Sequence, residues 1–252
     1  MKTLRFLAVA GMIAIAGTAS AQFVNSGSTT ATTQSTQRTG ARLIKDTRDY
    51  NRFEFGYLPS TLVQDWDGAD DLKMKGFEIG YLHGFNLTSK LPLFLEVGGQ
   101  FQLRTWKDSE EESDEYGSLE LTNRMNIFSL NIPVNLAYRL NITNDFAITP
   151  YFGFDFRINL LGKDKYKIDV SGEYADYKDE IEDELPDDIN LFDKDDMGGS
   201  DYVYKRFQAG WHIGVNLDWK ALHFGVNYGT DMSEISEDIK VKTTTVALGF
   251  NF

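Results

Sequence analysis

The 252-residue chain has no cysteine, five prolines and only three histidines. Without cysteine no disulfide can form, even in an oxidising compartment, so stability must come from burial and backbone hydrogen bonds. His83, His212 and His223 all fall in strand-like segments and none in a long connection. A hydrolytic site needs a base beside a nucleophile or an activated water, and a loop rim without histidine lacks the commonest one; the expectation is a protein that is not an enzyme. No stretch approaches the ~20 consecutive apolar residues that a transmembrane helix requires, which excludes a helical membrane protein. Basic charge is in deficit, with 25 Lys and Arg against 38 Asp and Glu and a formal net charge of −13. A phosphate backbone is bound through basic side chains, so nucleic acid is excluded as a partner, and cations or basic surfaces fit better.

What is present begins at the N-terminus. Lys2 and Arg5 precede an apolar run from Phe6 to Ala16, and Ala19-Ser20-Ala21 reads as a cleavage site, so residues 1–21 are expected to be a signal peptide. Its removal takes two positive charges with it. Residues 22–49, rich in Ser, Thr, Gln and Gly, have little to bury and are expected to form a disordered periplasmic lead.

From Tyr50 onward, apolar and polar residues alternate with a period of two. Mean hydropathy is −0.34, a value typical of soluble proteins, but a membrane barrel is apolar only at every second strand position. The alternation predicts eight strands, at 50–58, 75–85, 93–105, 126–140, 146–160, 204–217, 221–230 and 243–252. Each meets the ~9–11 residues of a tilted transmembrane strand. In the fourth, Phe128, Leu130, Ile132, Val134, Leu136, Tyr138 and Leu140 share one face, and Ser129, Asn131, Asn135 and Arg139 the other. In the last, Thr244, Val246, Leu248, Phe250 and Phe252 oppose Thr243, Thr245, Ala247, Gly249 and Asn251.

The connections sort by parity. Short links at 86–92, 141–145 and 218–220 alternate with long ones at 59–74, 106–125, 162–203 and 231–239. Outer-membrane barrels have an even strand number, short periplasmic turns and longer external loops. The expectation is therefore an eight-stranded antiparallel up-and-down transmembrane β-barrel over 50–252, in the outer membrane of a Gram-negative cell, with both termini periplasmic. Outer-membrane lipid and lipopolysaccharide would surround it, and the barrel-assembly machinery would insert it. Pro133 and Pro150 conflict with the ladder, since each lacks an N–H; the prediction is a bulge near Pro133 and a rim position for Pro150. Tyr57, Trp106, Tyr138, Trp211, Trp219 and Tyr228 fall near strand ends, where interfacial aromatic girdles are expected.

The run Leu130-Asn131-Ile132-Pro133-Val134-Asn135-Leu136-Ala137-Tyr138, followed by Phe146 and Pro150-Tyr151-Phe152-Gly153, resembles the motifs of the PorT-like outer-membrane β-barrel family. The resemblance covers residues 50–252 and implies a small outer-membrane barrel. The family takes its name from a member involved in protein secretion, and its motifs bring no catalytic residues.

Four inward acids (Glu54, Glu78, Glu96, Asp155) balance four inward bases (Arg52, Arg104, Arg139, Arg157), and His212 points the same way. An eight-stranded barrel is filled by side chains, and buried charges persist when paired. These residues are predicted to form a polar ion-pair plug centred on Glu54, Glu78, Asp155 and Arg157; a narrow ion or solute path is the competing reading.

The long links carry the negative charge. Residues 106–124 hold seven acids against two bases, and 162–206 hold fifteen against seven. They read either as a docking patch for a basic protein or as solvated, charged loops. A cell-surface interaction role follows from the first reading, and an accessory part in an outer-membrane secretion or assembly machine is the alternative. Asp193, Asp195, Asp196 and Asp201 resemble the opening of a calcium loop, but Met197 and Tyr204 stand where an oxygen donor and a bidentate Glu belong. Only loose, roughly millimolar Ca²⁺ or Mg²⁺ association is expected there, and no other cofactor. Phe250 and Phe252 are expected to serve as the assembly signal, in the strand that closes the barrel.

Overall fold

In the computed structural model, which describes residues 46–65, 71–185, 188–198 and 203–252, the chain from Tyr50 onward is an antiparallel sheet closed on itself. The expected signal peptide, most of the lead and Asp201 lie outside the described residues. The strands in chain order are β1 (Tyr50–Tyr57), β2 (Ser60–Gln64), β3 (Leu72–Asn86), β4 (Leu93–Ser113), β5 (Gly117–Tyr138), β6 (Leu140–Asn141), β7 (Phe146–Gly172), β8 (Ile189–Asn190), β9 (Phe207–Trp219), β10 (Leu222–Asp231) and β11 (Ile239–Asn251). Closure follows from β1, which pairs with β3 on one side and β11 on the other.

β2 sits between the same two neighbours in unchanged register, with Tyr57 opposite Val246 and Ser60 opposite Thr243. The two are one stave interrupted at Pro59, where the ladder has no N–H to use. The sequence reading ends the first strand at Leu58; the structure carries it through to Gln64. Eight staves therefore make the ring, while β6 and β8 are two-residue strands paired to β7.

The predicted faces hold. Phe53, Phe55, Phe77, Ile79, Phe152, Phe154, Leu248 and Phe250 are exposed on the outside, whereas Arg52, Glu54, Glu78, Glu96 and Arg157 are buried inside. A surface that is apolar outward and polar inward is stable only where the outside meets hydrocarbon.

Three expectations are corrected. No bulge forms at Pro133: the β4–β5 register is the same before and after it, and the ladder only loses its pairs at Gly98 and Gly99. A Cβ on Gly98 would lie 2.1 Å from the Tyr81 carbonyl oxygen, so the gap is a site of close backbone approach. The bulge falls instead between Phe128 and Ser129, where β7 gains a residue and Leu160 and Leu161 both point outward. Pro150 lies four residues from the start of β7, as expected of a rim position.

The second correction concerns the long links. β3 stops pairing with β4 at Thr105, and β9 pairs with β7 only up to Ile158. Beyond these points β4, β5 and β7 continue as a three-stranded blade, from Trp106 opposite Met125 up to Ser113 opposite Ser118, and to Gly117 opposite Gly172. The expected loop at 106–125 is thus a hairpin with its turn at 114–116. At Gly172 the backbone adopts φ 68°, and a Cβ would meet Tyr116 oxygen at 2.2 Å, so only glycine turns the chain there. A 3₁₀ helix (Glu173–Tyr177) and helix α1 (Lys178–Glu184) follow.

The third correction concerns Trp106. It does not join the outer girdle but packs against a buried apolar cluster inside the mouth. Tyr57, Tyr138, Trp219 and Tyr228 are exposed on the outside, as a girdle requires.

Candidate functional site

The interior is layered, not uniformly polar. At the blade end Leu62, Met74, Met125, Ile127, Leu191, Ile235 and Val241 form an apolar cluster, with Trp106, Leu72, Met197, Tyr204 and Ile239 packed against it. Leu191 and Ile235 come from connecting segments folded into the mouth, so this layer caps the interior. Towards the short-turn end lies a smaller cluster of Tyr50, Phe94, Ala137 and Tyr151.

The polar layer contains every inward charge that the sequence suggests, but its centre differs. Arg52 bridges two carboxylates, at 2.9 Å to Glu96 and 3.2 Å to Glu54. Glu96 also accepts hydrogen bonds from Tyr50 Oη (2.5 Å) and Asn135 Nδ2 (3.0 Å). Glu54 accepts one from Gln100 Nε2 at 2.7 Å. His212 bridges Asp155 (2.6 Å) and Asn135 Oδ1 (2.8 Å). Asn131 Nδ2 donates to both Gln100 Oε1 and Asp155 Oδ1, and Asn159 donates to Gln208.

Among the described residues Glu78 anchors no ion pair. It accepts from Gln102 Nε2 at 2.9 Å, while Arg104 Nε donates to Ser60 Oγ at 3.2 Å. Arg139 pairs with Asp218 at 3.4 Å and stacks over Tyr50. Arg157 forms a two-pronged pair with Asp231.

The expected balance of four acids and four bases is corrected by Asp218 and Asp231. With them the network has six carboxylates, four guanidinium groups and two imidazoles, the second being His223, held by Asp218 at 2.8 Å. Both aspartates lie on inward positions near the ends of their strands, Asp218 next to last in β9 and Asp231 last in β10. Alternation carried one residue further, to 218 and 231, would have found them.

A cavity of about 40 Å³ remains in this layer, bordered by Glu78, Arg104, Asp155 and Asp231 among others. At roughly 10–15 Å³ per water, that admits about three molecules.

The blade carries the other charge feature. Lys107, Asp108, Glu110, Glu111 and Glu112 are exposed along β4. Asp114 ties the structure together: its carboxylate accepts the N–H groups of Tyr116 and Gly117 and the hydroxyl of Tyr174 at 2.6 Å. The Tyr174 hydrogen bond holds the Asp114 carboxyl below the usual range, and the ammonium groups of Lys165 (2.5 Å) and Lys163 (3.3 Å) do the same for Asp188. Asp164 moves the other way, because burial pushes its carboxyl up.

Of the acids resembling a calcium loop, Asp193 Oδ1 accepts the N–H of Asp195 and Asp196 Oδ2 accepts that of Asn190. Their oxygens serve turns. Among the described residues no group of three His, Cys, Asp or Glu side chains is arranged to hold a metal ion. In the closing strand, Phe250 pairs with Phe53 and Leu222. Phe252 exchanges two backbone hydrogen bonds with Asn51, at 3.0 and 2.9 Å, which fixes the seam.

A closed antiparallel ring with an apolar outside and an ion-paired interior defines a transmembrane β-barrel. The chain belongs to the family described as outer membrane protein beta-barrel domain, whose model matches residues 69–233, more than half of its length. That membership places it in the cell outer membrane and is broader than the PorT-like resemblance. Among curated proteins none matches. Among solved structures, the chain is similar to Ail, the attachment invasion locus protein of Yersinia pestis, solved with the heparin analogue sucrose octasulfate (11% identity, 81% of this chain and 99% of that one, TM-score 0.37). It is also similar to Neisserial surface protein A (11% identity, 80% and 95%, TM-score 0.36) and to the translocator domain of autotransporter NalP from Neisseria meningitidis (11% identity, 82% and 90%, TM-score 0.27). Likeness at these scores carries no information on ligand or partner.

Proposed function

We propose that this chain is a sealed outer-membrane anchor, PorT-like in kind and without catalytic activity, that presents its acidic blade at the cell surface as a docking face for a basic protein partner. The observation that carries the reading is structural. The acids from Asp108 to Glu112 sit on a strand continuous with the barrel wall, so their spacing is fixed by a ladder and not by a mobile loop. From Trp106 to Ser113, β4 pairs on one side only among the described residues. An unpaired strand edge is a template for an added strand. The like charges on this edge oppose pairing with a second copy of itself and favour a lysine- or arginine-bearing strand. The meeting of Asn51 and Phe252 at the short-turn end supports periplasmic termini and an external blade.

The test uses the full barrel in lipid nanodiscs and a dodecapeptide of alternating lysine and threonine, with a glutamate–threonine peptide as control. Salt-sensitive binding of the lysine peptide is expected, with at least a tenfold loss in the triple variant Glu110→Gln, Glu111→Gln, Glu112→Gln. Equal binding to the parent and the triple variant would refute the proposal.

A further inference from the structure

Between the inner face of the blade and the segment returning to the barrel lies a second cavity, of about 350 Å³. Trp106 on β4, Asn123 and Met125 on β5, and Asp164 and Tyr166 on β7 form one wall. Leu191, Met197 and Tyr204 form the other, above the apolar cap. Its size lies within the range of small-molecule sites, which are mostly apolar with a few convergent polar groups.

Two of those polar groups are unsatisfied. Asp164 Oδ1 and Asn123 Oδ1, inaccessible atoms of half-buried side chains, accept no hydrogen bond among the described residues. The other carboxylate oxygen of Asp164 has long contacts, at 3.4 Å from Asn123 Nδ2 and 3.5 Å from Tyr166 Oη, and the backbone N–H of Lys165 also acts on the carboxylate. Buried acceptors are normally paired, and an unmet carboxylate oxygen is the more costly case. Asp196 adds a second acid to the lining, which among the described residues includes no Lys or Arg. The blade lysines do not compensate Asp164: Lys163 and Lys165 turn to Asp188, and Lys167 to Asp169.

From this geometry we infer that the cavity is a binding site for a small organic cation, in which a primary ammonium donates to Asp164 Oδ1 and Asn123 Oδ1 while a flat apolar body lies among Trp106, Tyr166 and Tyr204. Three N–H donors on one compact head match two convergent acceptors and leave one for water. The aromatic rings supply apolar contact, together with the cation–π attraction that an ammonium gains near an aromatic face. Burial pushes the Asp164 carboxyl up, and a cationic guest would reverse that shift. An anionic guest of the same shape meets two carboxylates and, among the described residues, no Lys or Arg.

Calorimetry on the full chain in nanodiscs, with empty nanodiscs as the blank, tests the site. Phenethylamine is the probe and hydrocinnamate its anionic counterpart. A single saturable site is expected for phenethylamine, with hydrocinnamate at least tenfold weaker. Asp164→Asn should weaken phenethylamine at least tenfold, and Met197→Trp, which fills the cavity from a surface turn, should abolish binding. Both variants are first checked for the parent barrel's resistance to unfolding in detergent. The triple glutamine variant of the blade edge should bind phenethylamine as the parent does, so failure of the docking reading and failure of this one are distinguishable. The absence of saturable heat for phenethylamine, equal binding of the two probes, or an unchanged affinity in Asp164→Asn would each overturn the inference.

Discussion

Arg157 on β7 and Asp231 on β10 meet across the barrel interior in a two-pronged pair, at 3.0 and 3.2 Å, though 74 positions apart in sequence. The pair joins two staves separated by β9 and lies beneath the apolar cap. Both side chains are buried, so the removal of one leaves an uncompensated charge. Asp231→Ala is expected to lower stability by about 3–5 kcal/mol in urea unfolding from detergent micelles. Replacing both partners, as Arg157→Met with Asp231→Leu, should recover most of that loss. Equal losses in the single and double variants would mean that the pair is not a unit.

The apolar cap makes a second prediction. Leu191 is only 3% exposed and contacts residues of several staves although it comes from a connecting segment. Leu191→Ala should cost about 2–5 kcal/mol, the range for deleting a buried leucine side chain. Its earliest effect should be faster amide exchange in residues 188–198, measured by mass spectrometry. Unchanged exchange there would show that the segment is not held by its apolar contact.

The blade should loosen in acid. The folded-state carboxyls of Asp114 and Asp188 lie below their ordinary range, so their contribution is complete above the unfolded value of about 3.9 and is lost as pH falls through the folded value. Asp164 is raised, so its burial penalty is relieved in the same acidification and works in the opposite direction. Protection of the amides over residues 173–185, with the intrinsic pH dependence of exchange divided out, should therefore fall on going from pH 7 to about pH 2, as the Tyr174 hydroxyl loses its anionic acceptor. Tyr174→Phe should show much of that loss of protection already at pH 7. Equal protection factors in the parent protein at both pH values would contradict the role given to Asp114.

Much of the fold was legible because alternation is a direct record of two solvents. Phe53 and Phe55 face hydrocarbon while Arg52 and Glu54 face an ion-paired interior, and a shift of one residue would reverse all four. Connection parity gave the ring its order for the same reason. Strand ends were less legible, because above the membrane both faces of a strand meet water and the alternation fades. Residues 107–113 are uniformly polar, so the blade looked like a loop. The apolar cap was hidden for a different reason: Leu62, Met74, Met125 and Ile127 are inward apolar residues whose partners, Leu191 and Ile235, arrive from segments with no periodicity. The ion-pair partners Asp218 and Asp231 were missed by a single residue at each strand end.

As proposed, the barrel is a sealed anchor and its chemistry lies on the blade side of the cap. Single-channel recording of the purified full chain in planar lipid bilayers tests this most directly. The expected result is a current at the membrane leak at all applied voltages, because the ion-pair layer leaves room for only about three waters beneath the apolar cap. Reproducible ohmic steps that scale with protein added and persist across voltages would contradict it.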